Sequence, residues 1–127
     1  MTYRSRIGGV SIDCRTDDLT DAIAFWTVAL GLTPTLEDGG KYASLGGRPG
    51  LPRVEVQRVD HDPRVHLDIE TDDREAECTR LKALGAVEVA RIKDWIVMEA
   101  PTGHRFCLVK PQGDDFPGDA AEWGTDA

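Results

Sequence analysis

No stretch of the sequence is long and apolar enough to span a bilayer. The longest uncharged run, Ala22 to Leu36, has 15 residues and contains Pro34, whereas a spanning helix needs about 20 apolar residues. Basic residues are also scarce. Against 23 Asp and Glu stand 15 Lys and Arg, which leaves a net charge of −8. Nucleic acid and anionic membrane surfaces both require a basic face, so neither is the expected partner. Cysteine is rare as well. Cys14, Cys78 and Cys107 are odd in number and far apart, so free thiols in a reducing compartment are expected. The start, Met1 to Gly9, lacks the apolar core of a signal peptide, and a cytoplasmic protein is expected. What is present suffices for one domain: 127 residues, 40% of them apolar. That is too short for an α/β barrel.

The chain repeats itself. Val10 to Asp18 (VSIDCRTDD) matches Val65 to Asp73 (VHLDIETDD) at five of nine positions, 55 residues apart. Ala29-Leu-Gly31 matches Ala83-Leu-Gly85 in the same order, at a spacing one residue shorter. Each copy opens with strict alternation. Val10, Ile12 and Cys14 alternate with Ser11, Asp13 and Arg15, as Val65, Leu67 and Ile69 do with His66, Asp68 and Glu70. A period of two means a strand with one apolar and one polar face.

Thr-Asp-Asp follows each strand and offers side-chain oxygens to cap a helix. Helices are predicted over 19–30 and 74–84. Ala22, Ile23, Trp26 and Ala29 form the apolar stripe of the first; Glu77, Leu81 and Leu84 beside Ala76 form that of the second. Gly31 and Gly85 stand where a left-handed C-terminal residue is wanted. Three short strands follow each helix: 33–37, 41–45 and 53–59, then 87–92, 95–99 and 104–110. Residues 60–64 read as a linker. Residues 112–127 hold no basic residue and are expected to be a poorly ordered extension.

In its repeat and motifs the sequence resembles the vicinal oxygen chelate superfamily, and within it the small bacterial glyoxalase-like domains. The resemblance rests on Ala24-Phe-Trp with Ala29-Leu-Gly-Leu32, on Val65-His-Leu-Asp68 and Leu81-x-x-Leu-Gly-Ala86, on Trp95-Ile-Val-Met98, and on Pro101-x-Gly-x-x-Phe-Cys-Leu-Val109. It implies an α+β fold of two βαβββ modules whose sheets curve into a cup, the glyoxalase/bleomycin resistance/extradiol dioxygenase fold. A single domain over 1–127 is expected, with module one at 8–59, module two at 65–110 and an acidic tail at 112–127. The resemblance also implies a homodimer.

If the apolar strand faces meet the helices, the opposite faces line the cup. This places Ser11, Asp13, Glu55, Gln57, His66, Asp68, Arg105 and Cys107 inward. Phe106 and Trp26 are expected in the core, with Cys14 and Cys78. Tyr42 and Trp95 sit on strands whose facing the alternation leaves open, and either is placed to floor a pocket by stacking. Arg48 and Arg53, in or beside the glycine-rich stretch from Gly46 to Gly50, are available to an anion. Phe116 and Trp123 are unusual in an acidic tail and are candidates to dock over the cup mouth or a second subunit.

Metal-using members of the superfamily hold a divalent ion with one residue from each of four strands, typically His on the first strand of each module and Glu or Gln on the last. His66 matches the second-module histidine. Ser11 takes the place of the first, and Cys107 takes the place of a Glu. Serine is a poor neutral ligand, although His66, Glu55 and Cys107 are donor types that zinc accepts. No metal is therefore expected, and those three residues are the set a divalent ion would use. Glyoxalase I chemistry, which the family performs with a metal, is disfavoured on the same ground.

The expected function is binding of a small drug- or metabolite-like molecule in the cup, through Ser11, Asp13, Gln57, His66, Asp68, Trp95, Arg105 and Cys107. The alternative is a small lyase or isomerase, or a metal-dependent enzyme, with His66 as general acid–base and Glu55 as its partner. Asp13 and Asp68 have a blander role available, pairing with an arginine such as Arg15 or Arg105.

Overall fold

The structure is a computed structural model that describes residues 1–37, 40–46 and 52–124. Its elements run β1 (Thr2–Arg15), α1 (Thr20–Leu30), β2 (Thr33–Glu37), β3 (Tyr42–Gly46), β4 (Arg53–Val59), β5 (Arg64–Thr71), α2 (Arg74–Ala83), β6 (Val87–Ile92), β7 (Trp95–Glu99), β8 (Arg105–Val109) and β9 (Ala121–Gly124). The class is α+β, with strand, helix and three strands occurring twice. The chain divides into two compact units, Gly9–His66 and Met1–Gly8 with Leu67–Ala127. The stretch from 47 to 51, which carries Arg48, lies outside the described residues.

In the Gly9–His66 unit the sheet order is β2-β3-β4-β1. β4 runs parallel to β1, with Ser11 opposite Glu55 and Asp13 opposite Gln57. Alternation on β4 sends Val54 and Val56 to one face. There they meet Leu19, Leu45 and Cys14, with Ala22, Ile23, Trp26 and Leu32 from α1 and its end. Leu45 and Val56 have no exposed surface; burying each such side chain stabilises by about 1.5–3 kcal/mol. Ala29 does not join this core and is exposed, because one helix face spans fewer positions than the sequence stripe did. Gly31 ends α1 with φ 67°, the left-handed conformation expected of it.

The other unit carries β5 from Leu67 on, then β8, β7 and β6 in that order, with β8 parallel to β5 and the rest antiparallel. Its core is Cys78, Ala86, Ile96, Met98 and Leu108, with Ile69, Leu81 and Phe106 packed against it. α2 is capped as its sequence demands: the Asp73 side chain accepts from the Ala76 N–H at 3.0 Å. The equivalent cap on α1 differs. Leu19 holds the cap position, and Asp18 accepts from the Thr20 N–H at 2.8 Å and the Thr20 hydroxyl at 2.6 Å. Leu84, expected on the α2 stripe, lies beyond the last turn and is 66% exposed.

Two expectations need correction. The first strand begins at Thr2, eight residues before the alternation at Val10, because Gly8-Gly9 hides the pattern while the backbone continues extended. The tail is not a frayed extension: Ala121–Gly124 forms β9, antiparallel to Thr2–Ser5 of β1. The Trp123 indole N–H donates to the Ser5 hydroxyl at 2.8 Å, and the Arg80 guanidinium stacks over the Trp123 ring at 3.8 Å. Phe116 lies under Arg6, 5.3 Å from the guanidinium. Both tail aromatics thus dock on their own unit.

Candidate functional site

The polar strand faces hold the candidate residues, as the alternation predicts. In the Gly9–His66 unit, Val54 and Val56 face α1, so Glu55 and Gln57 face away. Register places Ser11 and Asp13 beside them, and antiparallel pairing adds Tyr42 opposite Gln57 and Ser44 opposite Glu55. The facing of Tyr42, open in the sequence, is therefore the polar face.

Asp13 organises this face. It is 3% exposed. Its Oδ2 lies 3.0 Å from His66 Nδ1, its Oδ1 accepts from the Ser11 hydroxyl at 3.4 Å, and Arg64 Nε stands 3.7 Å away. A carboxylate only accepts, so Nδ1 carries a proton and the chemistry of the ring runs through Nε2. The alternation offers Glu55 as a partner for His66; in the structure it is Asp13 that stands on Nδ1. The cause is the register. Glu55 stands opposite Ser11, and its carboxylate lies 4.0 Å from Arg53. The bland pairings change as well. Arg15 pairs with Asp62 at 3.0 Å rather than with Asp13, since it ends the strand and points into the loop before β5. Arg64, read from sequence as linker, was missed; the Pro63 turn masks its place on β5.

In the other unit Asp68 of β5 stands opposite Cys107 of β8. Phe106 and Leu108 meet the core, which turns Cys107 to the face away from α2. Val97 pairs with Cys107 and Glu99 with Arg105. Arg105 donates to Glu99 across the strands at 3.0 Å. Trp95 is in phase with Val97 and Glu99 and shares their face, since Ile96 and Met98 take the core. All three cysteines are free. Burial pushes the Cys14 and Cys78 thiols up, which makes both poor nucleophiles.

The metal set of the superfamily is a poor fit to these residues. Ser11 has no exposed surface, and its hydroxyl donates to Asp13. A neutral oxygen so engaged does not replace an imidazole. His66 turns Nδ1 to a buried carboxylate, which orients an imidazole equally for a ligand or a proton. Cys107 beside Asp68 supplies a thiol and a carboxylate, both donor types for zinc, with the thiol at the position where the superfamily has a Glu.

Residues 9–109 match the family model described as a glyoxalase-like domain. The chain belongs to the glyoxalase-like domain family. Among solved structures it is similar to a hypothetical protein from Bacillus halodurans, at 15% identity and TM-score 0.60 over 87% of this chain and 98% of that one. A methylmalonyl-CoA epimerase, solved with methylmalonyl-CoA and ammonium, gives 14% identity and TM-score 0.57 over 85% and 95%. A Mn(II)-bound glyoxalase from Novosphingobium aromaticivorans gives 18% identity and TM-score 0.59; the match covers 89% of this glyoxalase-like chain and 43% of the longer one. At these identities the likeness fixes the fold, and function must come from the residues. No curated protein matches the sequence. Among the described residues no helix is long and apolar enough to cross a membrane.

Proposed function

We propose that this glyoxalase-like domain binds a small molecule on its polar sheet face without a metal. The observation that carries the reading is the buried Asp13 holding His66 and Ser11 where metal-using relatives would place an imidazole. Such a network costs stability unless fully paired, and it presents one oriented imidazole to a ligand. Gln57, opposite Asp13 on the same face, adds an amide donor and acceptor, a polar anchor of the kind small-molecule sites use. The methylmalonyl-CoA held by the solved epimerase is an example of a small-molecule ligand on this fold. A homodimer in the cytoplasm is the state that goes with this reading.

The same pair favours a second reading, a lyase or isomerase. A carboxylate on Nδ1 fixes the tautomer and raises the basicity of Nε2, as a general base requires. Glu55 is the second acid–base candidate there.

Native mass spectrometry of protein purified without chelator, followed by thermal shift against a metabolite set with and without EDTA, tests the proposal. The expected result is metal-free protein whose ligand-induced shift survives EDTA and is lost in His66→Gln. Near-stoichiometric zinc, nickel, manganese or iron retained by the wild type would overturn it. Retention of every ligand shift in His66→Gln would remove both readings of that residue.

A further inference from the structure

The Gly9–His66 unit contains a cavity of about 740 Å³ at the ends of β1 and β4, within the range of small-molecule sites. Three of its nine lining residues are the cations Arg15, Lys41 and Arg58. The whole chain has 15 basic residues in 127 and a net charge of −8, so this concentration runs against the background. The three come from separate segments. Arg15 ends β1, Arg58 lies on β4 opposite Cys14, and Lys41 precedes β3. The Arg58 N–H donates to the Lys41 carbonyl at 2.9 Å, which ties the Lys41 segment to β4 and brings the two cations to one cavity. Arg15 is held by Asp62 at 3.0 Å. Gln57 adds an amide to the lining, and Asp17 and Asp60 bring two carboxylates.

We propose that this cavity binds the acid group of a small carboxylate or phosphate compound. Arg15 and Arg58 present planar N–H donors that match an oxyanion, and Lys41 adds a point charge. Asp17 and Asp60 in the lining, and Asp62 on Arg15, offset much of that charge. The cavity therefore selects a compact acid and repels polyanions, in keeping with the negative field of the whole chain. The inference does not rest on the reading of His66, since neither His66 nor Asp13 lines the cavity.

The test is a titration of the full chain, followed by ¹⁵N–¹H correlation spectra, with inorganic phosphate in one arm and malonate in the other, against chloride at matched ionic strength. Saturable shifts at Arg15, Lys41, Gln57 and Arg58 are expected, with affinity falling about tenfold in Arg58→Gln and in Lys41→Gln, the loss of one charge-assisted contact. Saturation by one arm alone assigns the acid class; saturation by both assigns an oxyanion site in general. His66→Gln should leave these shifts intact, so failure here and failure of the proposed function are separable. The inference is overturned by shifts that track chloride without saturating, by saturable shifts mapping elsewhere, or by unchanged affinity in both variants. The substituted side chains are exposed, and superimposable spectra away from the cavity verify that the variants are folded.

Discussion

Replacing Arg80 with Met strands a carboxylate. Glu77 has no exposed surface. It accepts from Arg80 at 2.8 and 2.9 Å and from the Tyr3 hydroxyl at 2.8 Å. Burial alone pushes the Glu77 carboxyl up; the hydrogen bonds from Arg80, Ser5 and Tyr3, with the Arg80 charge, outweigh it and hold it below its ordinary value. Removing one partner of a buried pair costs about 3–5 kcal/mol. The Arg80 side chain is 28% exposed, so water offsets part of the loss and the lower end applies, about 3 kcal/mol at neutral pH. In a domain of this size that lowers Tm by about 10 °C. The sign with pH follows from the two environments. In the wild type a depressed Glu77 contributes stability that is complete above its ordinary value of 4.5 and is lost as pH falls through the lower folded value. In Arg80→Met burial dominates, the carboxyl rises, and acidification stabilises the variant. The gap between the two proteins must therefore narrow from neutral pH to about pH 4. Urea unfolding followed by circular dichroism at both values measures it. Adding Glu77→Gln to Arg80→Met should recover roughly half the loss, because no buried charge remains. A loss below about 1 kcal/mol, typical of a surface pair, would refute the reasoning. A gap independent of pH, or a double variant no better than the single, would do the same.

Three further outcomes are expected. Asp13→Ala removes the acceptor of His66 Nδ1 and Ser11; it should cost about 2 kcal/mol in urea unfolding, and ¹⁵N shifts of the ring should report loss of the Nδ1–H tautomer. The Tyr3 phenol, its ionisation pushed up to about 12 by burial and then by Glu77, contributes stability present below 10 and lost as pH rises through 12; absorbance at 295 nm should lose its latest step in Tyr3→Phe, and an unchanged curve would show that another group gives it. Trp123→Ala removes the bond to Ser5 and the Arg80 stack and should cost about 2 kcal/mol, whereas a tail frayed in solution would give no change.

The sequence carried the module elements because alternation and helical period are local. Val54, Glu55, Val56 and Gln57 sort to two faces by period alone, and the core confirms it. Ser11, Asp13, Glu55 and Gln57 were placed on one face for the same reason. What period cannot supply is pairing across that face. Asp13 meets His66, 53 residues away, through strand register, and Glu55, equally well placed by pattern, does not take Nδ1. The tail was misread because its composition is acidic and rich in Gly. Its anchoring depends on two aromatics, each stacked by an arginine from a distant segment, and no local rule reports that.

The pairing of β9 with β1 also bears on how the chain is made. The Gly9–His66 unit is one continuous stretch, so all of it is made before α2. Thr2 to Ser5 precede it, yet find their β9 partners only with Ala121 to Gly124. At about 5–20 residues per second, these first residues wait roughly 6–23 s for that partner. During that interval one edge of the nascent strand is unpaired, a template for any other strand nearby. Synthesis of residues 121–124 is then the step that closes this edge, and a chain cut short before Ala121 would keep it open.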